Sequence, residues 1–210
     1  MGFWDDQVVP RFTDKMLSNR DVMRHRAKVT VGLHGEVVEI GFGSGLNVPS
    51  YPQSVTKVHA VDPSLVARDL ASARVEASPV EVRYVGLDGA TLPLDDASVD
   101  TALSTFTLCT IPDVTSAVRE VWRVLKPGGT FHFLEHGLSP EPGIAQWQHR
   151  LNGVQQRIAG GCHLDRPIEQ LVRDAGFEIT RLDHDQLAGP KFMQPWSYLY
   201  EGVATRMEAA

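Results

Sequence analysis

The stretch Val37-Val38-Glu39-Ile40-Gly41-Phe42-Gly43-Ser44-Gly45 joins a run of β-branched residues to a loop that carries three glycines. Glycine has no Cβ, so such a loop can turn sharply after a strand and let the backbone approach a ligand closely. The dinucleotide-binding fingerprint is G-x-G-x-x-G/A, but here Leu46 stands at its third glycine position and Gly45 comes one residue early. Alone, the pattern fits either a ligand-binding loop or an ordinary strand-to-helix turn.

Five short runs around this loop are predicted as buried strands, because near-continuous apolar runs are typical of parallel strands covered on both faces. They are Glu36–Ile40, Val58–Asp62, Val80–Val85, Val99–Ser104 and Thr130–Glu135. Two later runs, Phe177–Leu182 and Trp196–Val203, show a weaker strand pattern.

Apolar residues at helical spacing separate the strands. One stripe (Val114, Val118, Val121 and Leu125) stops where Lys126-Pro127-Gly128-Gly129 breaks the periodicity. A second stripe (Ile144, Trp147, Leu151, Val154 and Ile158) places Trp147 in the core and ends at Gly160-Gly161, and a short helix lies between Asp165 and Gly176. This alternation predicts a doubly wound, Rossmann-like α/β sheet over residues 36–210, preceded by a helical extension over residues 1–35.

The composition of the 210-residue chain is that of one soluble domain, with 42% hydrophobic and 22% charged residues. Lys and Arg number 20 against 26 Asp and Glu, and the net charge of −6 disfavours a nucleic-acid partner. No apolar run approaches the roughly 18 residues that cross a bilayer, and the acidic start is unlike a secretory signal. Cys109 and Cys162 lie far apart, so we expect a reduced, cytoplasmic chain without a disulfide framework or a metal site.

Two aspartates follow the second and third predicted strands. Asp62 stands where a carboxylate can accept hydrogen bonds from a ribose diol, or can cap a helix that begins near Pro63. Asp88 stands where a carboxylate can accept from an adenine amino group, or can form a turn with Gly89. Together with the glycine loop, these residues mark the ends of three successive strands and favour a nucleotide-like ligand at that edge.

In the order of these motifs, the chain resembles the class I S-adenosylmethionine-dependent methyltransferases. Glu39, two positions before Gly41, is similar to the acidic residue of the family's first motif, and Asp62 matches its ribose-binding acid. The pair Asp88-Gly89 ahead of Leu92-Pro93 resembles the family's aspartate–small pair beside adenine. The turn Arg123-Val124-Leu125-Lys126-Pro127-Gly128-Gly129 resembles the one that precedes its fifth strand.

The resemblance implies a seven-stranded sheet, mostly parallel with the last strand antiparallel. It also implies S-adenosylmethionine as the cofactor and S-adenosylhomocysteine as the product, with Glu39 setting the loop and offsetting the cofactor's positive charge. The residues that it implies for cofactor binding are Glu39, Gly41, Phe42, Gly43, Gly45, Asn47, Asp62, Pro63, Asp88, Gly89, Ser104 and Thr105.

Several shorter patterns are similar to the methyltransferase-like proteins that include mammalian microsomal alkyl-thiol S-methyltransferases. They are Gly43-Ser44-Gly45-Leu46-Asn47, Tyr51-Pro52, Asp62-Pro63, Thr107-Leu108-Cys109, Phe133-Leu134-Glu135-His136 and Gly161-Cys162. Those proteins carry an N-terminal membrane anchor that this sequence lacks, so the resemblance implies a relative without a membrane span. A small thiol is the first expectation for the acceptor, and a quinol carbon, a phenol or an amine is the alternative.

Methyl transfer from a sulfonium is an in-line displacement that depends mostly on positioning, so a base matters only if the acceptor arrives protonated. The candidate base is His136, just past the fifth predicted strand, where Glu135 either orients it or faces a helix; a solvent-facing His136 is the alternative. On a strand His132 would lie about 13 Å from His136, which excludes these two as ligands of one metal ion.

Other residues are candidates for the walls of the site. Cys109 and the group Cys162, His163 and Arg166 are interpreted as acceptor-pocket residues, although an inert buried Cys109 and a tight turn at Gly160-Gly161 explain these positions too. Phe3 and Trp4 are interpreted as a lid over the cofactor, with a hydrophobic staple of the first helix as the alternative.

Two other functions are consistent with part of the same motifs. A nicotinamide-dependent oxidoreductase would use the same acid on the same ribose, but Leu46 at the third glycine position disfavours it. A cofactor-binding module without catalysis would keep every glycine-loop feature. Nothing in the sequence specifies an oligomeric state.

Overall fold

The computed structural model describes residues 4–207, which form one seven-stranded sheet with helices on both faces. The strands are β1 (Gly35–Ile40), β2 (Val55–Val61), β3 (Glu81–Gly86), β4 (Val99–Thr105), β5 (Leu125–His136), β6 (Phe177–Gln186) and β7 (Tyr198–Arg206). The α-helices are α1 (Val9–Leu17), α2 (Arg20–Val29), α3 (Leu65–Glu76), α4 (Val114–Val124), α5 (Pro142–Ile158) and α6 (Ile168–Asp174). Shorter helical segments cover Trp4–Val8, Val48–Ser50 and Lys191–Trp196.

The strands lie in the order β3-β2-β1-β4-β5-β7-β6. Strands β1 to β5 pair in parallel, and β7 runs antiparallel to both of its neighbours, β5 and β6. This confirms the predicted doubly wound, seven-stranded α/β sheet with an antiparallel last strand. Because the order reverses between β1 and β4, a crevice for a ligand opens beyond the carboxyl end of β1.

Each face of the sheet has its own apolar core, which explains why β1 is apolar on both sides. On one face, Val38 and Ile40 pack with the stripe of α4 and with Ile168 and Val172 of α6. On the other face, Val37 packs with Val29 of α2 and Ala71 of α3. The predicted α4 stripe is therefore confirmed, and α2 contributes to the second core.

The predicted stripe on α5 is wrong for most of its residues. Trp147, Val154 and Ile158 are 54%, 57% and 56% exposed. The buried residues of this helix are Ile144, as the stripe predicts, and Gln148, whose amide donates to Gly137 O and Pro195 O and accepts from Ser139 N. Helix α5 packs against the segment Lys191–Trp196, so its apolar stripe does not face a sheet.

Some strand boundaries also differ from the prediction. Leu125, predicted as the last residue of the α4 stripe, instead begins β5: α4 ends at Val124, and Val99 pairs with Leu125 and Thr101 with Thr130. The residues between them, 126–129, form an irregularity in the strand. At the other end β5 extends to His136, and Trp196 lies in a short helix before β7.

The N-terminal segment is helical over most of its described length, from Trp4 to Val29, and β1 begins at Gly35. Phe3, one of the two predicted lid residues, lies outside the described residues. No helix within residues 4–207 is both long and apolar enough to span a bilayer.

A buried polar network ties α2 to the carboxyl ends of β1 and β4. Arg26 donates to Asn47 Oδ1 at 2.8 Å and to Thr105 Oγ1 at 2.7 Å. Asn47 in turn donates to Glu39 Oε1 at 2.9 Å, and the Tyr51 hydroxyl donates to the other Glu39 oxygen.

Burial raises the pKa of Glu39 to about 7, against the hydrogen bonds from Tyr51 and Asn47 that lower it. Burial likewise lowers the pKa of Arg26 to about 10.

The raised pKa of Glu39 predicts a pH-dependent loss of stability. Between pH 4.5 and 7 the folded state keeps the Glu39 proton while the unfolded state releases it, so the free energy of unfolding falls as pH rises. We expect this contribution to be present in full below pH 4.5 and to have decreased by about 3 kcal/mol above pH 7.

The measurement is urea unfolding of the wild-type protein and of Glu39→Gln at pH 5.0 and 7.5, without ligand. Glutamine resembles the protonated acid, so the variant should lack this part of the pH dependence while all other titrating groups cancel in the comparison. Equal pH dependence in the two proteins would contradict the assignment.

Candidate active site

The glycine loop that follows β1 forms the centre of the crevice. Gly41 and Gly43 have left-handed backbone angles, with φ of +70° and +55°. A Cβ on Gly41 would collide with the Thr107 side chain, so this glycine lets the loop lie directly against the segment after β4. A Cβ on Gly43 would meet nothing closer than Gly41 O at 3.8 Å, so this position faces open space. Gly45 instead packs closely on Ala71 of α3.

Asp62 lies directly beside this loop, just beyond the end of β2. Its Oδ2 accepts from Gly43 N at 2.8 Å, and its Oδ1 accepts from Ser64 N at 2.8 Å across Pro63. The residue that caps α3 is Ser64, whose Oγ accepts from Ala67 N, so the predicted alternative of Asp62 as the helix cap is wrong. Each Asp62 oxygen keeps acceptor capacity for a ligand. Burial is the main cause that raises the pKa of Asp62.

Asp88 and Gly89 follow β3 at the same edge. Asp88 is exposed, and its Oδ1 accepts from Ala90 N at 2.8 Å in a tight turn. A Cβ on Gly89 would lie 3.2 Å from Ile111 and 3.9 Å from Ile40, so this loop packs against the end of β1. A cavity of about 220 Å³ opens between the ends of β2 and β3, with Asp62, Ser64 and Leu87 among the residues that line it.

Five of the predicted cofactor-binding residues use their side chains inside the protein, and the first of them is Glu39 in the Arg26 network. The Phe42 ring is buried and packs edge-on against Tyr84, with 5.5 Å between ring centroids. Asn47 and Thr105 belong to the Arg26 network, and Ser104 donates to Glu135 at 2.7 Å. The structure therefore brings these five residues under the loop, where their side chains support it.

The segment after β4 is held by a buried carboxylate. Glu135 on β5 accepts from Thr107 N at 2.9 and 3.1 Å and from Leu108 N at 3.1 Å, in addition to Ser104 Oγ. These bonds hold Phe106 in a left-handed conformation, φ +55°, which is unusual for a bulky residue. The two predicted roles of Glu135, orienting His136 or facing a helix, are therefore both wrong. Burial raises the pKa of Glu135 to about 7.

His136, Cys109 and Cys162 form a cluster beyond the ends of β4 and β5. Their ligand-type atoms all lie within 4.8 Å of one another, and His136 Nε2 is 3.0 Å from Cys162 Sγ. The predicted alternative of a solvent-facing His136 is wrong, because its Nδ1 is buried and has no partner in the described structure. The contact with Cys109, followed by burial, holds the pKa of Cys162 well above its usual range. Sequence reasoning treated these three residues separately, since they come from distant parts of the chain.

Arg166 and His163 lie beside this cluster. The Arg166 guanidinium donates to Leu108 O, and His163 N donates to Cys109 O at 2.8 Å. Arg166 is buried, and none of the ion pairs between the described side chains includes it. The loop between α5 and α6 is therefore joined to the segment after β4, and it brings the positive charge of Arg166 beside the cluster.

The short helical segment Trp4–Val8 and helix α1 form one helical stretch near the glycine loop. At one end Trp4 Nε1 donates to Ile158 O at 2.9 Å, and Trp4 remains 53% exposed. At the other end Asp14 pairs with Arg74 at 3.0 Å, and Arg74 donates to Ser44 O at 2.7 Å. The helix thus connects the end of α5 to the loop that contains Gly43.

Comparison with known proteins places this arrangement in a family. The model of the family described as "Methyltransferase domain" matches residues 38–133. The thiol S-methyltransferase TMT1B of Rattus norvegicus is 32% identical over 182 residues, which cover 84% of this chain and 74% of that protein. The human thiol S-methyltransferase TMT1A is 29% identical over 194 residues, with 87% and 79% covered.

Solved structures share the fold at low sequence identity. A methyltransferase from Methanosarcina mazei superimposes with a TM-score of 0.63 at 21% identity and covers 83% of this chain and 93% of its own. Geranyl diphosphate methyltransferase in complex with S-adenosylmethionine gives a TM-score of 0.70 at 14% identity, with 99% and 92% covered. With its glycine loop, its strand order and its relatives, the chain belongs to the class I S-adenosylmethionine-dependent methyltransferases, in the branch of the TMT1 thiol S-methyltransferases.

Proposed function

We propose that this enzyme transfers the methyl group of S-adenosylmethionine to the sulfur of a small thiol. The observation that carries the proposal is the likeness to proteins named thiol S-methyltransferases, at 29–32% identity over more than four fifths of the chain. The acceptor side of the site adds support, because it has no free carboxylate base among the described residues and therefore suits an acceptor that ionises readily.

The cofactor fits the crevice at the carboxyl ends of β1 to β3. When bound, it supplies an electrophilic methyl group on a sulfonium. Gly43 would let the backbone approach the cofactor, since a Cβ there would project into the open space of the crevice. Asp62 would accept from the ribose hydroxyls with the capacity that Gly43 N and Ser64 N leave free, and the exposed Asp88 would accept from the adenine amino group.

The predicted cofactor residues with buried side chains would support the cofactor-binding loop without touching the cofactor through those side chains. Glu39 and Asn47 would set the loop through the buried network, and Thr105 and Ser104 would hold the ends of β4. We also infer that α1 covers the cofactor as a lid, because its Asp14 reaches the glycine loop through Arg74 and Ser44.

The acceptor side offers no free carboxylate as a base within the described residues. Glu135 is fully buried and already receives bonds from Ser104, Thr107 and Leu108. A thiol with a pKa of about 8.5 is a few per cent ionised at neutral pH, whereas a phenol with a pKa of about 10 is ionised some thirty times less. The leaving thioether needs no proton, so positioning and exclusion of water would supply most of the catalysis.

The open position at Gly43 gives a prediction with a matched control. In Gly43→Ala the new Cβ would occupy space needed by the cofactor, and we expect at least about tenfold weaker binding of S-adenosylhomocysteine by calorimetry. Gly128→Ala has a similar left-handed φ, +77°, and nothing within 4 Å of the added Cβ, but it lies near the amino end of β5. Both variants should lose about 1–2 kcal/mol of stability, and only the first should lose affinity. Equal affinities would contradict the assignment.

The role of Asp62 gives a second prediction about the cofactor. In Asp62→Ala we expect binding of S-adenosylhomocysteine to weaken by about 1.5–3 kcal/mol, because the ribose loses hydrogen bonds to a charged acceptor. The control is Asp113→Ala, which removes the cap of α4 at Ser116 N. It should lower the melting temperature without changing cofactor affinity. Unchanged affinity in a folded Asp62→Ala protein would show that Asp62 only supports the loop.

The acceptor is tested with labelled S-adenosylmethionine and compounds that differ only in the acceptor atom, such as thiophenol, phenol and aniline. We expect methyl transfer to sulfur at least about tenfold faster than to oxygen, in line with the larger ionised fraction of the thiol, and no faster transfer to nitrogen than to sulfur. Transfer to a phenol, amine or quinol but to no thiol would overturn the thiol proposal. Binding of the cofactor without transfer to any of these compounds would overturn it as well.

A further inference from the structure

The cluster of Cys109, His136 and Cys162 has the composition and the spacing of a three-ligand metal site. In a tetrahedral zinc site with Zn–S bonds of about 2.3 Å and Zn–N bonds of about 2.0 Å, neighbouring ligand atoms lie about 3.5–3.8 Å apart. The three ligand-type atoms here already lie within 4.8 Å of one another, so shifts of about 1 Å or less would complete the geometry. Two sulfurs and one imidazole favour a thiophilic cation over Mg²⁺ or Ca²⁺.

The backbone around the cluster holds the three ligands in place. His136 is the last residue of β5, and Cys109 follows β4, where Glu135 binds the preceding Thr107 and Leu108 amides. Cys162 is joined to this segment through the bond from His163 N to Cys109 O. Two strand ends and one loop therefore bring their side chains to a common point.

His136 provides a second, independent observation. Among the described residues, the sulfur of Cys162 is the one hydrogen-bond partner of its Nε2, and its buried Nδ1 has none. Buried side-chain nitrogens in folded proteins nearly always have a hydrogen-bond partner or a ligand. The surrounding protein thus leaves this imidazole poorly satisfied.

We propose that Cys109, His136 and Cys162 bind a thiophilic divalent cation, Zn²⁺ in the first place, whose fourth position binds the sulfur of the acceptor. The second half of this statement rests on the proposed thiol acceptor, and the first half does not. Three protein ligands with one open position are typical of catalytic zinc sites, whereas structural sites have four protein ligands.

The position of the cluster suits delivery of a sulfur to the cofactor. Thr107, two residues before Cys109, donates to Gly41 O at 3.4 Å, so the segment after β4 contacts the glycine loop on one side and carries a ligand of the cluster on the other. The charges also balance, because Zn²⁺ with two cysteine thiolates and one acceptor thiolate has a net charge of −1. The buried Arg166, which forms no ion pair with the described side chains, lies beside both cysteines and would supply the compensating +1.

The transfer step balances without any further reactant. The acceptor thiol gives its proton to solvent when its sulfur binds the cation. A sulfur lone pair then forms the new bond to the methyl carbon while the sulfonium C–S bond breaks, and that electron pair stays on the sulfur of S-adenosylhomocysteine. The product is an uncharged methyl thioether, a much weaker ligand than a thiolate, so it can leave the cation.

The test uses the full chain after removal of bound metal and under reducing conditions. Titration with Zn²⁺ against a chromophoric chelator should give one equivalent per chain, and Co²⁺ should give the intense absorption of thiolate ligation in a tetrahedral site. Cys162→Ser and His136→Ala should each weaken Zn²⁺ binding at least about a hundredfold. His149→Ala, a histidine that is 58% exposed and outside the cluster, should leave it unchanged.

Circular dichroism and S-adenosylhomocysteine binding show whether each variant is folded. The absence of stoichiometric Zn²⁺ binding by the folded wild-type protein would overturn the metal site, even if thiols are methylated. Thiophenol should change the Co²⁺ spectrum whereas phenol should not, and an unchanged spectrum would overturn the fourth-position assignment. Stoichiometric metal binding without thiol methylation would leave the metal site standing while the proposed function fails.

Discussion

The Glu135 carboxylate lies beneath the end of β4 and the segment that follows it, and accepts hydrogen bonds from Ser104, Thr107 and Leu108. Burying a carboxylate destabilises the folded state unless its oxygens accept hydrogen bonds, and these three residues donate them. In return the bonds hold Phe106 in its left-handed conformation and keep the Thr107 side chain against Gly41. The glycine loop and the cysteine cluster are both positioned relative to this segment, so the geometry between cofactor and acceptor depends on one side chain.

The two halves of the sheet have different tasks. The carboxyl ends of β1, β2 and β3 provide the loop, Asp62 and Asp88, all of which suit a nucleotide-like cofactor. The ends of β4 and β5, with the loop between α5 and α6, provide sulfur, imidazole and a guanidinium instead. The crevice between β1 and β4 is where these two chemistries meet, and the reversal of strand order there keeps it open.

Much of this fold was predictable from the sequence because its signals are local. Each parallel strand is a short apolar run, and Val114, Val118 and Val121 repeat at helical spacing, so strand order and the α4 face follow from pattern and family. The prediction failed at α5, where an apolar stripe was taken to mean burial. Most of that stripe is exposed because α5 packs on the short helix Lys191–Trp196, and the polar Gln148 is buried there together with Ile144.

The site was predictable where residues adjoin the glycine loop and not where tertiary contacts assemble it. The sequence places Asp62 after a strand but contains no sign that it binds Gly43 N or that Ser64 caps the following helix. The meeting of Cys109 with Cys162 requires the loop after α5 to fold back on β4, which no local spacing indicates.

The antiparallel strand β7 affects the order in which the chain can fold during synthesis. β7 is translated after all the other strands, yet it lies between β5 and β6 and pairs with both. Until β7 leaves the ribosome, β6 has no strand to pair with. The edge of β5 that β7 will cover also has unpaired backbone groups, which can pair wrongly with other chains. The half of the sheet from β3 to β4 has its pairings available earlier, so the nascent chain can order its cofactor side before its acceptor side.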